Sequence, residues 1–158
     1  MNRKIDYHDD PAAPEPDSLV PAVTVIAVRE DCAILLIRRT DNGNWALPGG
    51  TIEMRESVTG AAIRETFEET GVKCEVTGLA GVYSDPGHVI EYTSNGEVRR
   101  EFSVAVTARP VSGDPTPSPE SRDVRWVHPR DLDRYPMDKS MRKRVTDYLD
   151  HPGTPTVA

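Results

Sequence analysis

Cysteine is scarce in this chain: only Cys32 and Cys74 occur. A single pair provides no disulfide framework. Neither residue belongs to a CxxC spacing, so reduced thiols and a cytoplasmic location are expected. Long apolar runs are missing too. The longest mainly apolar stretch, residues 19–28, is interrupted by Pro21 and Thr24 and ends at Arg29-Glu30, far short of a membrane span. Residues 1–16 place Asp9, Asp10 and Glu15 where a secretion signal would need an apolar core. No basic run is present, and the formal charge is −7. Electrostatic binding of long nucleic acid is therefore not expected. A small phosphorylated ligand remains compatible, provided arginines or a metal reverse the local potential.

Against these absences stands a chain of 158 residues, enough for one domain with a real core. Residues 1–18 are acidic and proline-bearing and read as a flexible leader; residues 19–150 read as a single domain, and residues 151–158 as a frayed tail. Residues 19–29 and 32–38 read as strands around a turn at Glu30-Asp31. A helix is expected over residues 58–70, capped by Ser57 and closed by Gly71. Residues 72–82 read as a strand, and turn signals at Asp85-Pro86-Gly87 and Ser94-Asn95-Gly96 flank an apolar stretch. Residues 99–107 alternate, with Arg100, Phe102, Val104 and Val106 opposite Arg99, Glu101, Ser103 and Ala105, as in a half-buried strand. The proline-bearing residues 111–121 read as a loop and 123–127 as a short strand. A second helix over 137–149 carries Met137, Met141 and Val145 on one stripe, with Tyr148 or Leu149. Strands mixed with two separated helices predict an α/β sandwich with a mixed sheet.

The first helix is chemically unusual. Glu65 and Glu69 stand one turn apart on a face shared with Val58 and Ala62, and Glu68 lies at its edge, while Ile63 and Phe67 lie opposite. Like charges at this spacing repel, and burying them is costly unless something neutralises them. Magnesium or manganese would do so, since carboxylate oxygens are the ligands these cations prefer. A solvated acidic face explains the same pattern on periodicity alone.

The preceding loop decides between them. From Gly50 to Val72 the chain reads GTIEMRESVTGAAIRETFEETGV, with Gly50, Glu56, Arg64, Glu65, Glu68, Glu69 and Gly71 at fixed spacing. This segment resembles the signature of the Nudix, or MutT-like, hydrolases. Thr66 replaces a bulkier apolar residue of the pattern, and Arg55 stands where many members have glycine; neither removes a ligand. Looser similarity extends over residues 19–149, including Trp45 to Gly50 and the Val124–Val127 segment followed by Asp131-Leu132.

The resemblance implies an α/β/α sandwich and Mg2+-dependent hydrolysis, with Mn2+ as a substitute, of a nucleoside diphosphate linked to another moiety. Glu65 and Glu69 would be the main metal ligands, joined by the Gly50 carbonyl. Glu68 would be a further ligand or would orient water, and Glu56 would pair with Arg64 to hold the loop against the helix. The general base varies in the family; Glu120 is one candidate on a later loop, and His88 is another. By strand alternation, one of Arg38 and Arg39, and one of Arg99 and Arg100, would face substrate phosphate. Tyr83 or Tyr92 would stack on a base. ADP-ribose or a related nucleotide sugar is the leading substrate, and Pro86 falls near a proline common in ADP-ribose-cleaving members, although it also suits its turn. A nucleoside triphosphate such as dGTP or 8-oxo-dGTP is the alternative, and a non-catalytic nucleotide sensor a third reading. A small nucleotide is the expected partner, with no membrane or long nucleic acid; homodimers are frequent in the family.

Overall fold

The computed structural model describes residues 3–158. Ten strands and two α-helices follow in the order β1 (Lys4–His8), β2 (Ser18–Ala27), β3 (Ile34–Arg39), β4 (Trp45–Ala46), β5 (Gly49–Thr51), α1 (Val58–Thr70), β6 (Lys73–Tyr83), β7 (His88–Tyr92), β8 (Glu97–Ser112), β9 (Ser121–Val127), α2 (Lys139–Asp150) and β10 (Thr156–Val157). A 3-10 turn over Pro129–Arg134 precedes α2.

The mixed sheet forms around the long strand β8. It pairs in parallel with β2 and antiparallel with β6 and β7. β5 adds to the far edge of β2, β1 to β7, and β10 to β6, completing a seven-stranded sheet. A smaller sheet of order β4-β3-β9 lies beside it. Alternation along β2 and β3 divides the core in two. Val23, Val25, Leu35 and Ile37 pack with Ala61 and Ala62 of α1. Ile26, Ile34 and Leu36 pack with Val145 of α2 on the opposite side. Helices thus cover both faces, the expected α/β/α sandwich.

The helix reading holds closely for α1. The Ser57 side chain accepts from the Gly60 N–H at 3.0 Å, and Gly71 ends the helix at φ 74°. The stripe Met137, Met141, Val145 and Tyr148 packs into the second core half, although α2 begins only at Lys139, after the N-cap Asp138.

Four expectations need correction. Residues 1–18 are not simply a leader. Met1 and Asn2 lie outside the described residues, but Lys4–His8 form an antiparallel ladder with β7. That strand carries no apolar pattern because it is held by main-chain pairing and polar contacts, including the Lys4–Asp6 ion pair at 3.4 Å and the His88–Asp6 hydrogen bond at 2.8 Å. Residues 151–158 are not simply a frayed tail: β10 pairs in parallel with β6, and the Ala158 N–H donates to the Val82 carbonyl at 2.9 Å. β8 runs on to Ser112, into the stretch expected to be loop. Finally, β8 is not polar on one face. Ser103 and Ala105 are buried while Phe102 is 44% exposed, and Ala105 belongs to the core half that Val145 of α2 completes.

Candidate active site

The strand β5 and the loop after it bring the glycine-rich approach against α1. Gly49 pairs with Thr24 of β2, and a Cβ there would lie 2.1 Å from the Val23 carbonyl oxygen. At Gly50 a Cβ would lie 2.5 Å from Glu65 Oε1. The missing side chains therefore let backbone and carboxylate approach each other directly.

Arg64 organises this junction. Its Nε and Nη2 donate to Glu56 Oε2 and Oε1 at 2.6 and 2.7 Å, and Nη2 also donates to the Thr51 carbonyl at 3.2 Å. The bidentate fork fixes the loop to the helix, which a point-charge lysine could not do as well. Hydrogen bonding from Arg64 holds the Glu56 carboxyl down to about 2. Arg64 Nη1 reaches Glu65 Oε1 at 2.9 Å and Glu68 Oε2 at 3.2 Å.

Glu69 is treated differently. It is 4% exposed; its Oε1 accepts a 3.2 Å bond from the Gly49 N–H, and its carboxyl shares a hydrogen bond with Glu65. Burial first, and then the neighbouring Glu65 charge, push its carboxyl well above the ordinary carboxylate range. Glu65 is also pushed up, chiefly by burial. Among the described residues no lysine or arginine is in ion-pair contact with Glu69. Two adjacent carboxylates, the inner one buried and unpaired by a cation, are an unfavourable arrangement that a hard divalent ion would relieve. The donor set of Glu65, Glu69 and the nearby Gly50 backbone fits such an ion.

Glu65 and Glu69 form part of a cleft of about 420 Å³, which Arg39, Tyr92, Arg99 and Glu120 also line. From the arginine pairs the fold selects one member each. Arg39 faces the cleft, held by Asp41 through bonds of 2.8 and 2.6 Å. Arg38 turns away and donates to the Gly43 carbonyl. Arg99 faces the cleft and donates to the Tyr92 hydroxyl at 3.0 Å, whereas Arg100 donates to the Ser84 carbonyl elsewhere. Glu120 is brought in by its loop, whose carbonyl accepts from the Thr40 N–H at 3.2 Å. Glu68 is exposed and held by Arg64 at 3.2 Å, and it does not line the cleft.

Tyr83 is not a wall of this cleft: its hydroxyl donates to Asp147 of α2 at 2.9 Å, and a separate cavity receives it together with His88 and Pro86. Tyr92 occupies the position on the cleft wall instead. Sequence reasoning missed Asp41, Asn95 and Glu97, which the β3–β4 and β7–β8 turns carry to the rim. Only the turn signals around them offered any clue.

A family model for the NUDIX domain matches residues 18–148. A MutT-like protein from Streptomyces ambofaciens is 37% identical over 132 residues, 84% of this chain and 78% of the relative. A Bacillus subtilis protein provisionally named an 8-oxo-dGTP diphosphatase is 32% identical over 78% of this chain and 76% of the relative. An ADP-ribose pyrophosphatase from Methanocaldococcus jannaschii is 49% identical over 81 residues, 46% of this chain and 48% of the relative. Among solved structures, a NUDIX hydrolase from Nitrosomonas europaea superposes with a TM-score of 0.71 at 25% identity, covering 91% of this chain and 78% of that one. Among the described residues no helix is long and apolar enough to cross a membrane. With the glycine loop, the Arg64 clamp and the carboxylate pair in place, this chain belongs to the Nudix hydrolases and carries their phosphoanhydride-hydrolysing type of site.

Proposed function

We propose that this protein hydrolyses the phosphoanhydride of a nucleoside diphosphate linked to another moiety, with ADP-ribose or a related nucleotide sugar as its substrate. The observation that carries the reading is the buried, cation-deficient Glu69 beside Glu65 on the wall of an arginine-bearing cleft. Glu65, Glu69 and the Gly50 carbonyl would hold Mg2+ or Mn2+, with Glu68, now paired with Arg64, as a further ligand. When bound, that cation supplies charge withdrawal from the phosphate oxygens and a more acidic water.

The remaining steps fall to the chain's own groups. Arg39 and Arg99 present guanidinium donors to phosphate oxygens and offset the charge that develops in phosphoryl transfer. Tyr92 offers an aromatic face to a base. Glu120 stands on the cleft wall as an acceptor for a proton from the attacking water, and Glu68 is the alternative acceptor within the helix. Arg64 and Glu56 act through position, keeping the Gly50 loop registered on α1. The name of the Methanocaldococcus relative supports the nucleotide-sugar reading. The name of the Bacillus relative favours a second one, in which a nucleoside triphosphate is cut to a monophosphate and pyrophosphate.

Chromatography of products from ADP-ribose, dGTP and 8-oxo-dGTP, each with Mg2+ and then Mn2+, tests the choice. The expected result is release of AMP and ribose phosphate from ADP-ribose at the highest kcat/KM. Faster release of pyrophosphate from a triphosphate would replace it with the second reading. Binding without turnover of any of the three would instead point to a nucleotide sensor.

A further inference from the structure

Away from the glutamate cleft, another group of ligand-type side chains converges where β1, β7 and the start of α2 meet. His8 and His88 are cross-strand partners, and their rings stack at 4.5 Å between centroids with planes 13° apart. His8 Nε2 donates to Asp138 Oδ1 at 3.0 Å. One ring nitrogen from each histidine and one Asp138 oxygen all lie within 4.8 Å of one another. All three side chains are mostly enclosed, with exposures of 20%, 16% and 14% for His8, His88 and Asp138. Asp6 accepts from His88 Nε2 at 2.8 Å. Both histidines face a cavity of about 320 Å³ that shares no lining residue with the glutamate cleft.

We propose that His8, His88 and Asp138 form a second metal site, suited to a borderline transition cation such as Zn2+ and separate from the carboxylate site of α1. The donor sets distinguish the two. Carboxylate, carbonyl and water suit Mg2+, whereas neutral imidazoles with a carboxylate suit Zn2+ or Ni2+. Zn–N bonds of about 2.1 Å place tetrahedral donors about 3.4 Å apart. Donors already within 4.8 Å therefore need only a side-chain rotation to close. The ion would take the place of the proton between His8 and Asp138, beside the cavity that both histidines line. Asp6 orients the His88 ring, as carboxylates commonly do for ligating histidines. Lys139, Lys143 and Arg144 line the same cavity together with Asp9, Asp85 and Glu101, so its cations and carboxylates offset one another. That balance suits a site built on two neutral ligands and one anion rather than one built on three carboxylates.

The test uses tag-free full-length protein carrying Glu65→Gln and Glu69→Gln, so that the carboxylate site is disabled and any stoichiometric binding lies elsewhere. Zn2+ is titrated calorimetrically in excess Mg2+, and Co2+ is followed by its visible ligand-field absorption. The expected result is one equivalent bound, with affinity weakened at least about tenfold by His8→Asn or His88→Asn in the same background. Far-UV circular dichroism reports whether each variant is folded. Asp138→Asn, which keeps an N-cap side chain, decides the matter if a histidine variant unfolds, and it too must weaken binding. Substoichiometric uptake, or affinity unchanged by these substitutions, would show that the four side chains only clamp β1 to the sheet. Because the background already lacks the hydrolytic ligands, the outcome is independent of the hydrolase reading.

Discussion

At residue 69 a glutamate keeps 4% of its surface, and its carboxyl is pushed up by burial and by Glu65. A group whose folded-state pKa is raised adds stability below the unfolded value of 4.5 and loses it as pH climbs through the folded value. Metal-free protein should therefore weaken from pH 5 to pH 8 relative to Glu69→Gln, which removes the titrating charge. Thermal melts of both proteins in chelator across that range check this. Parallel pH dependence in the two proteins would mean that Glu69 is effectively solvated. The adjoining glycines give a second residue-scale contrast. Gly49→Ala meets the Val23 backbone, so it should destabilise the fold by about 1–3 kcal/mol, as overpacking does. The nearest atoms to a Cβ in Gly50→Ala are those of the movable Glu65 carboxylate. It should melt close to wild type yet lose turnover at least about tenfold, as disturbed metal ligation does. Melts and steady-state rates on both variants separate the two effects.

At the scale of elements, α1 was legible to the residue because its signals are local: an N-cap hydroxyl, a left-handed glycine end and a carboxylate pair at helical spacing. Arg39 and Arg99 could be narrowed only to one of each pair. Alternation says that neighbours part, while the choice of face is made by strands distant in sequence. β1 and β10 left no such mark. Lys4, Asp6 and His8 look like a solvated leader in isolation, and become a strand only when β7 and Asp138 meet them. Removing residues 1–10 should therefore lower the melting temperature. Losing the β1–β7 ladder and its Asp6 and His8 pairs should cost at least about 2 kcal/mol, about 5 °C for a domain of this size. An unchanged melt would return these residues to the role of a leader.

At the scale of the whole molecule, two helices covering opposite faces explain where composition was a poor guide. Ala105 is buried in the core half that Val145 of α2 completes. The substitution of Tyr92 for Tyr83 on the cleft wall follows from the same packing. Tyr83 bonds to Asp147 of α2, while the β7–β8 hairpin carries Tyr92 around to the glutamates. The fold thus separates a carboxylate cleft from a histidine-bearing cavity within one domain, and the hydrolytic assignment rests on the former. Its most direct test is steady-state turnover of the best substrate across a Mg2+ titration for wild type, Glu69→Gln and Glu75→Gln, with a thermal melt of each. Glu75 is an exposed partner of Arg109 on β6 and serves as the control. The account predicts that Glu69→Gln stays folded but loses at least about 100-fold in rate, about 2.7 kcal/mol of transition-state stabilisation, with part of the rate returning at high Mg2+, while Glu75→Gln matches wild type. A folded Glu69→Gln protein turning over at the wild-type rate at every Mg2+ concentration would contradict it.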